Sequence, residues 1–186
     1  MKVRELLTGV AKILEDEELA LAISTSTENQ TPSVKVKAER LLYAFNLVIS
    51  DVALNYLAPT FTENIVGKFF NIENLSKVCK KIVGIYDQNE NPISYKIVGE
   101  KVEVGKSNCV VTYEYIPKNK GFDDDFEYQN KMVSERAFCY GVLAEYCLFT
   151  SRFEEAENWE SKFRQAIEVK IDFKPKRIKA GKRWGL

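Results

Sequence analysis

The chain has 186 residues, 45% of them apolar, which is enough for one domain with a real core. Histidine is absent and the formal net charge is zero; the missing imidazole removes the commonest general base and metal ligand and argues against most hydrolase mechanisms, leaving a Cys-only or carboxylate-only site as the alternative. No apolar run approaches the ~18 residues a bilayer span needs.

The opening stretch MKVRELLTGVAKILEDEELA intersperses charge with apolar residues and does not read as a secretory signal. Val3, Leu6, Leu7, Val10, Ile13 and Leu14 fall at helical spacing and predict an amphipathic helix over 3–14. Glu15–Glu18 follow, and Leu19–Ile23 extend that helix or begin the next segment. Residues 24–33 are polar and read as a loop, with Ser33 as the expected N-cap of a long helix over 34–57. Leu41, Leu42, Phe45, Val48, Ile49, Val52 and Tyr56 form its apolar face, and Pro59 marks its limit.

Residues 60–77 carry no decisive pattern. From 78 to 116, Val, Ile, Tyr and Thr dominate with period-two alternation, as in Val111, Tyr113 and Tyr115 against Val110, Thr112 and Glu114. Turn-forming stretches at Asp87–Asn91 and Gly105–Asn108 predict a meander of sequential hairpins, with Gly105 supplying a positive φ. A loop over 117–129 precedes a helix at 130–149 that is apolar nearly all round and belongs inside a core. A last helix at 153–169 buries Ala156, Trp159, Phe163, Ala166 and Ile167. The fold class is therefore α+β: a bundle of about four helices over 1–169, a β insertion at about 68–116, and an extended arm at 170–186.

Charge is unevenly spread. Residues 170–186 hold seven Lys/Arg and one Asp, so the preceding body keeps 20 cations against 26 anions, a net of −6. The arm interleaves Lys174, Lys176, Arg177, Lys179, Lys182 and Arg183 with Phe173 and Trp184. Three readings fit it: docking on an acidic partner, contact with nucleic acid, or a solubilising tail.

Other motifs have plainer accounts. Gly99–Ser107 reads GEKVEVGKS, but a phosphate loop has four residues between its glycines, not five, and runs into a helix, whereas strand-like CVVTYEYI follows here. Asp123–Asp125 lack the alternating ligands of a calcium loop and read as solvated carboxylates ahead of a helix. Cys79, Cys109, Cys139 and Cys147 show no C-x-x-C spacing and read as reduced, small packing residues. Glu135, Arg136 and Glu145 either pair in the core or mark the exposed edge of the apolar helix. No catalytic constellation, cofactor site or metal site emerges.

Taken together, VTYEYIPK, the acidic loop, SERAFCYGVLAEYCLFTSRFEEAENWESKFRQAIE and the basic end KRIKAGKRW, with the long helix ERLLYAFNLVISDVALNYLAP, resemble the head-to-tail adaptor (connector) proteins of tailed bacteriophages, notably the tubular adaptors of short-tailed phages. The resemblance spans about Val34 to Trp184. It implies a virion structural protein rather than an enzyme, made in the host bacterial cytoplasm and placed in the neck between head and tail. Its partners would be identical subunits in a closed ring (twelve by that resemblance), the portal protein, and the next tail component, a nozzle or stopper. DNA would pass through without sequence-specific binding, no membrane is involved, and the acidic residues at 15–18 or 123–125 would face the channel or solvent. Phe173, Lys174, Lys176, Arg177, Lys179, Lys182, Arg183 and Trp184 are the implied portal contacts. The alternatives are a tail-completion or stopper protein, or a small nucleic-acid-binding module that uses the basic arm.

Overall fold

A computed structural model of the chain describes residues 2–25, 31–126, 128 and 133–171. Its architecture is α+β, with five α-helices and two three-stranded antiparallel sheets among the described residues. The helices are α1 (Val3–Ile13), α2 (Glu17–Thr25), α3 (Pro32–Asp51), α4 (Glu135–Phe149) and α5 (Phe153–Ile171). The strands are β1 (Thr60–Val66), β2 (Phe69–Asn71), β3 (Val78–Tyr86), β4 (Tyr95–Val98), β5 (Lys101–Val104) and β6 (Asn108–Ile116).

The N-terminal apolar stripe divides into two helices. Glu15 adopts a left-handed φ of 59°, which stops α1, and Asp16 starts α2 by accepting from the Leu19 amide at 3.0 Å. The hydrogen bond and charge of Lys37, 2.6 Å from Asp16 on α3, hold the Asp16 carboxyl below its usual range. Thr31, not Ser33, is the N-cap of α3: Pro32 takes the first helical position, where its missing N–H would have no partner in any case.

The long helix is not uniform either. Its α-helical part ends at Asp51 and a single π turn, Val52–Tyr56, follows, closed by the Leu57 amide on the Val52 carbonyl at 2.8 Å. The wider turn leaves the carbonyls of Ala53 and Leu54 to the Lys80 ammonium, which reaches them from β3 at 2.8 and 2.7 Å. The Tyr128 hydroxyl donates to the Leu57 carbonyl at 2.5 Å, and the Tyr115 amide to Pro59 at 3.0 Å.

The β portion differs most from expectation. Its strands begin at Thr60, earlier than residue 68, and they form a two-sheet module with strand orders β1-β6-β3 and β2-β5-β4 rather than a meander. β3 does not pair with β4, nor β5 with β6; each of those links crosses between sheets. The β1–β2 link also changes sheets and turns at Gly67 (φ 118°), whose amide donates to the Ser107 carbonyl. A two-residue hairpin joins β4 to β5 through Gly99-Glu100, and Gly99 (φ 61°), not Gly105, carries the positive φ.

This module has its own core: Ile82, Ile85, Cys109, Val111 and Tyr113 from one sheet, Val102 and Val104 from the other, and Leu75. The alternation of β6 holds, with Cys109, Val111 and Tyr113 inward. The buried Tyr113 ring sends its hydroxyl to Glu63 at 2.7 Å, and Ser76 also donates to that carboxylate. Burial pushes the Glu63 carboxyl up, but these hydrogen bonds outweigh it and leave it below its usual value.

The helical core is separate and holds Leu7, Leu19, Ile23, Leu41, Phe45, Phe138, Leu143 and Ile167 at its centre. α4 is described from Glu135, capped by the Ser134 hydroxyl on the Ala137 amide; residues 130–132 lie outside the described residues. It is less enclosed than its composition implies, because Leu148 and Phe149 are exposed. At its middle, Gly141 lets three helices close together: a Cβ there would stand 2.7 Å from Val48 Cγ1 on α3 and 3.1 Å from the Phe163 ring on α5. Gly141→Ala gains helix propensity but overpacks this junction, for a net loss of about 1–2 kcal/mol. Urea unfolding followed by circular dichroism checks it; unchanged or higher stability would contradict the packing account.

Candidate interaction surface

α5 is the base of the basic arm, and the sequence of α4 fixes it in place. Trp159 stacks on Tyr140 with ring centroids 5.7 Å apart, and the Lys162 ammonium stands 4.0 Å from the Trp159 ring. Phe163 meets the Tyr56 ring edge-on at 6.0 Å, and Ile167 is buried. Nineteen residues give α5 a length of about 28 Å. The implied portal contacts Phe173, Lys174, Lys176, Arg177, Lys179, Lys182, Arg183 and Trp184 lie outside the described residues.

The outer side of this region is acidic. Glu154, Glu155 and Glu157 are exposed on α5. Glu145 is half-buried on α4; burial first, then the charges of Asp51 on α3 and Glu160 on α5, push its carboxyl above the usual range. Asp51 accepts from the Asn55 side chain at 2.6 Å and Glu160 pairs with Arg164 one turn on, whereas Glu145 has no hydrogen bond or ion pair among the described residues. Glu135 and Arg136, by contrast, are exposed, and Arg136 lies against the Tyr140 ring.

An apolar stripe crosses the opposite register of α3. Val36, Arg40 and Tyr43 recur at helical spacing off the buried face formed by Val34, Ala38, Leu41 and Phe45. Tyr43 lies 5.6 Å from Phe149 of α4, ring to ring, and is 57% exposed. Val36, Glu39, Arg40, Tyr43 and Phe149 line a shallow groove of about 470 Å³. Phe153, at the start of α5, is 62% exposed. The sequence reading missed this stripe. Its signal was Val36 and Tyr43 seven residues apart, out of phase with the core positions.

The other motifs have structural work. Asp123 does not precede a helix; it binds the Arg4 guanidinium at 2.8 Å, while the Asp124 carbonyl accepts from the Val3 amide and Asp125 bridges to Lys2. Lys106 of GEKVEVGKS reaches Asp87 at 2.8 Å, and this contact, with the amides of Asn91 and Asn89, pulls the Asp87 carboxyl down to about 2. Burial raises the thiols of Cys79, Cys109, Cys139 and Cys147, which lowers their thiolate content and reactivity. Among the described residues no group of His, Cys, Asp or Glu is arranged to hold a metal ion, and no helix is long and apolar enough to cross a membrane.

No family model matches the chain, and no curated protein does.

The like-charged setting of Glu145 has a measurable sign. A carboxyl raised in the folded state favours folding while protonated and loses that contribution as pH rises through its folded pKa. Glu145→Gln is therefore expected to raise the melting temperature at pH 7–8, with the gain fading below about pH 4.5, where the unfolded chain is protonated as well. Equal gains at pH 4 and pH 8 would show that charge is not the cause.

Proposed function

We propose that this chain is a virion structural protein, a ring-forming adaptor between the portal and the tail of a tailed bacteriophage. The observation that carries the reading is the distribution of apolar side chains. Two modules, each with its own core, still expose Val36, Tyr43, Phe149 and Phe153 on the helices and Val66, Phe69, Val83 and Val98 on the strands. Singly exposed apolar residues are ordinary, but one groove lined by Val36, Tyr43 and Phe149, with Glu39 and Arg40 at its edge, fits burial against neighbouring chains. The sequence resemblance supplies the kind of neighbour: identical subunits side by side, with the portal above and a nozzle or stopper below.

The charge pattern supports the same reading. A net of −6 on residues 1–169 suits a wall past which DNA slides, because each added cation would strengthen phosphate binding. The seven cations of residues 170–186 suit an arm that docks on an acidic partner, with Phe173 and Trp184 as anchors. That arm also favours a second reading, a small nucleic-acid-binding module.

One experiment separates the two. The full chain and a chain ending at Ile171 are each mixed with the portal protein and imaged by electron microscopy, and each is titrated with duplex DNA at several salt concentrations. The adaptor reading expects rings stacked on the portal, lost or loosened on truncation, with weak DNA binding throughout. Tight, steeply salt-dependent DNA binding that vanishes on truncation, without portal rings, would establish the nucleic-acid module instead.

A further inference from the structure

β4 is a strand that buries none of its own side chains. All four residues, Tyr95–Val98, are exposed, and the strand pairs only with β5. Yet three of the four are Tyr, Ile and Val, the types that suit a covered pleated surface. Val98 is 61% exposed and Ile97 46%.

The hairpin fixes where the backbone groups point. Gly99-Glu100 is a two-residue loop, so Val98 and Lys101 close it as a hydrogen-bonded pair. Hydrogen-bonded and open pairs alternate, so Lys96 also turns toward β5, while the N–H and C=O of Tyr95 and Ile97 point outward. The same alternation continues across β5 to the other edge. The Val104 amide donates to the Lys68 carbonyl and the Ile72 amide to the Glu100 carbonyl, each at 2.8 Å. Phe70 therefore turns inward, and the backbone groups of Phe69 and Asn71 point outward from β2. No other element packs extensively along either edge among the described residues.

The two open edges match. Each presents two residues' worth of outward donors and acceptors, each carries an exposed apolar side chain, and both strands run in the same direction because each is antiparallel to β5. We infer that the β4 edge of one copy pairs in parallel with the β2 edge of a second copy, so that this sheet continues from subunit to subunit. The inference rests on the ring reading and names its contact. Joining two different patches leaves one free edge at each end, so the contact repeats until it closes on itself. Open apolar edges are hazards that proteins shield. Here the edges are short and β4 carries Lys96, which limits random pairing and leaves a matched neighbour as the fitting occupant. Short edges make a small joint, and the stripe of Val36, Tyr43 and Phe149 offers further area for the same neighbour.

Two edge-blocking variants of the full chain test it. Ile97→Pro and Phe69→Pro each remove one outward N–H at an edge position, where proline is tolerated. Analytical ultracentrifugation over a concentration range reads assembly, and circular dichroism verifies the fold. The wild type is expected to form closed oligomers. Each variant alone is expected to be monomeric, and their mixture to form a one-to-one heterodimer through the edges left open. Where a proline variant does not fold, the double variant Ile97→Lys/Phe69→Lys should be monomeric and Ile97→Lys/Phe69→Glu should assemble. Folded proline variants that assemble like the wild type, or a mixture that stays monomeric, would overturn the edge pairing while the ring reading stands. A wild type that remains monomeric at every concentration, with and without portal protein, would overturn both.

Discussion

A helix that ends within a folded protein leaves carbonyl groups without intrahelical partners, and a π turn makes the shortfall worse. In this chain the shortfall is met by Lys80. The register of β3 against β6 slips between Cys79 and Lys81, leaving Lys80 outside the ladder. That bulge re-aims its side chain, and the ammonium bridges the carbonyls of Ala53 and Leu54. A cation there also complements the negative end of the helix. The contact ties the helical core to the strand core, with Tyr128 and Tyr115 bonding to Leu57 and Pro59 beside it.

What the sequence disclosed depended on how local the determinant was. The helices at 3–13, 32–51 and 153–171 were readable because their apolar residues keep a 3.6-residue period over several turns. The inward face of β6 was readable because alternation is a property of the strand itself. Partner choice between strands is not local. Asp87–Asn91 does reverse the chain, bridging Tyr86 to Pro92 in antiparallel fashion, but β4 then pairs in the other sheet, as β6 does not pair with β5 after Gly105–Asn108; long-range packing around Val102, Val111 and Tyr113 decides that. The helical break at Glu15 was left open between two alternatives and the cap was placed at Ser33 instead of Thr31 for a related reason. Each depends on which backbone group finds a partner, and a hydropathy pattern does not record it.

The surface was less legible than the core. Composition showed an acidic body and a basic end, but not that Asp16, Asp87 and Asp123 are occupied by Lys37, Lys106 and Arg4. Those carboxylates serve internal contacts and contribute less to the outward field than their count implies. Glu155 pairs with Arg152, but Glu145, Glu154 and Glu157 have no such partner among the described residues, which concentrates free negative charge where α4 and α5 meet. The apolar stripe on α3 is invisible in bulk hydropathy for a similar reason. It emerges only once Leu41, Phe45 and Val48 are known to face inward, leaving Val36 and Tyr43 to face out.

The strand module enters and leaves the bundle through a single antiparallel pair, with Thr60 opposite Glu114 and Val78 opposite Ile116 nearby. Its two ends therefore sit a strand's spacing apart, ~5 Å. An insert attached in this way acts as a cassette. Loops such as 87–91 and 99–100 can lengthen or shorten without moving α3 relative to α4, because the module meets the helices at its two points of attachment and through Lys80, not through those loops. Variation in what the module touches is thereby uncoupled from the packing that holds the bundle together.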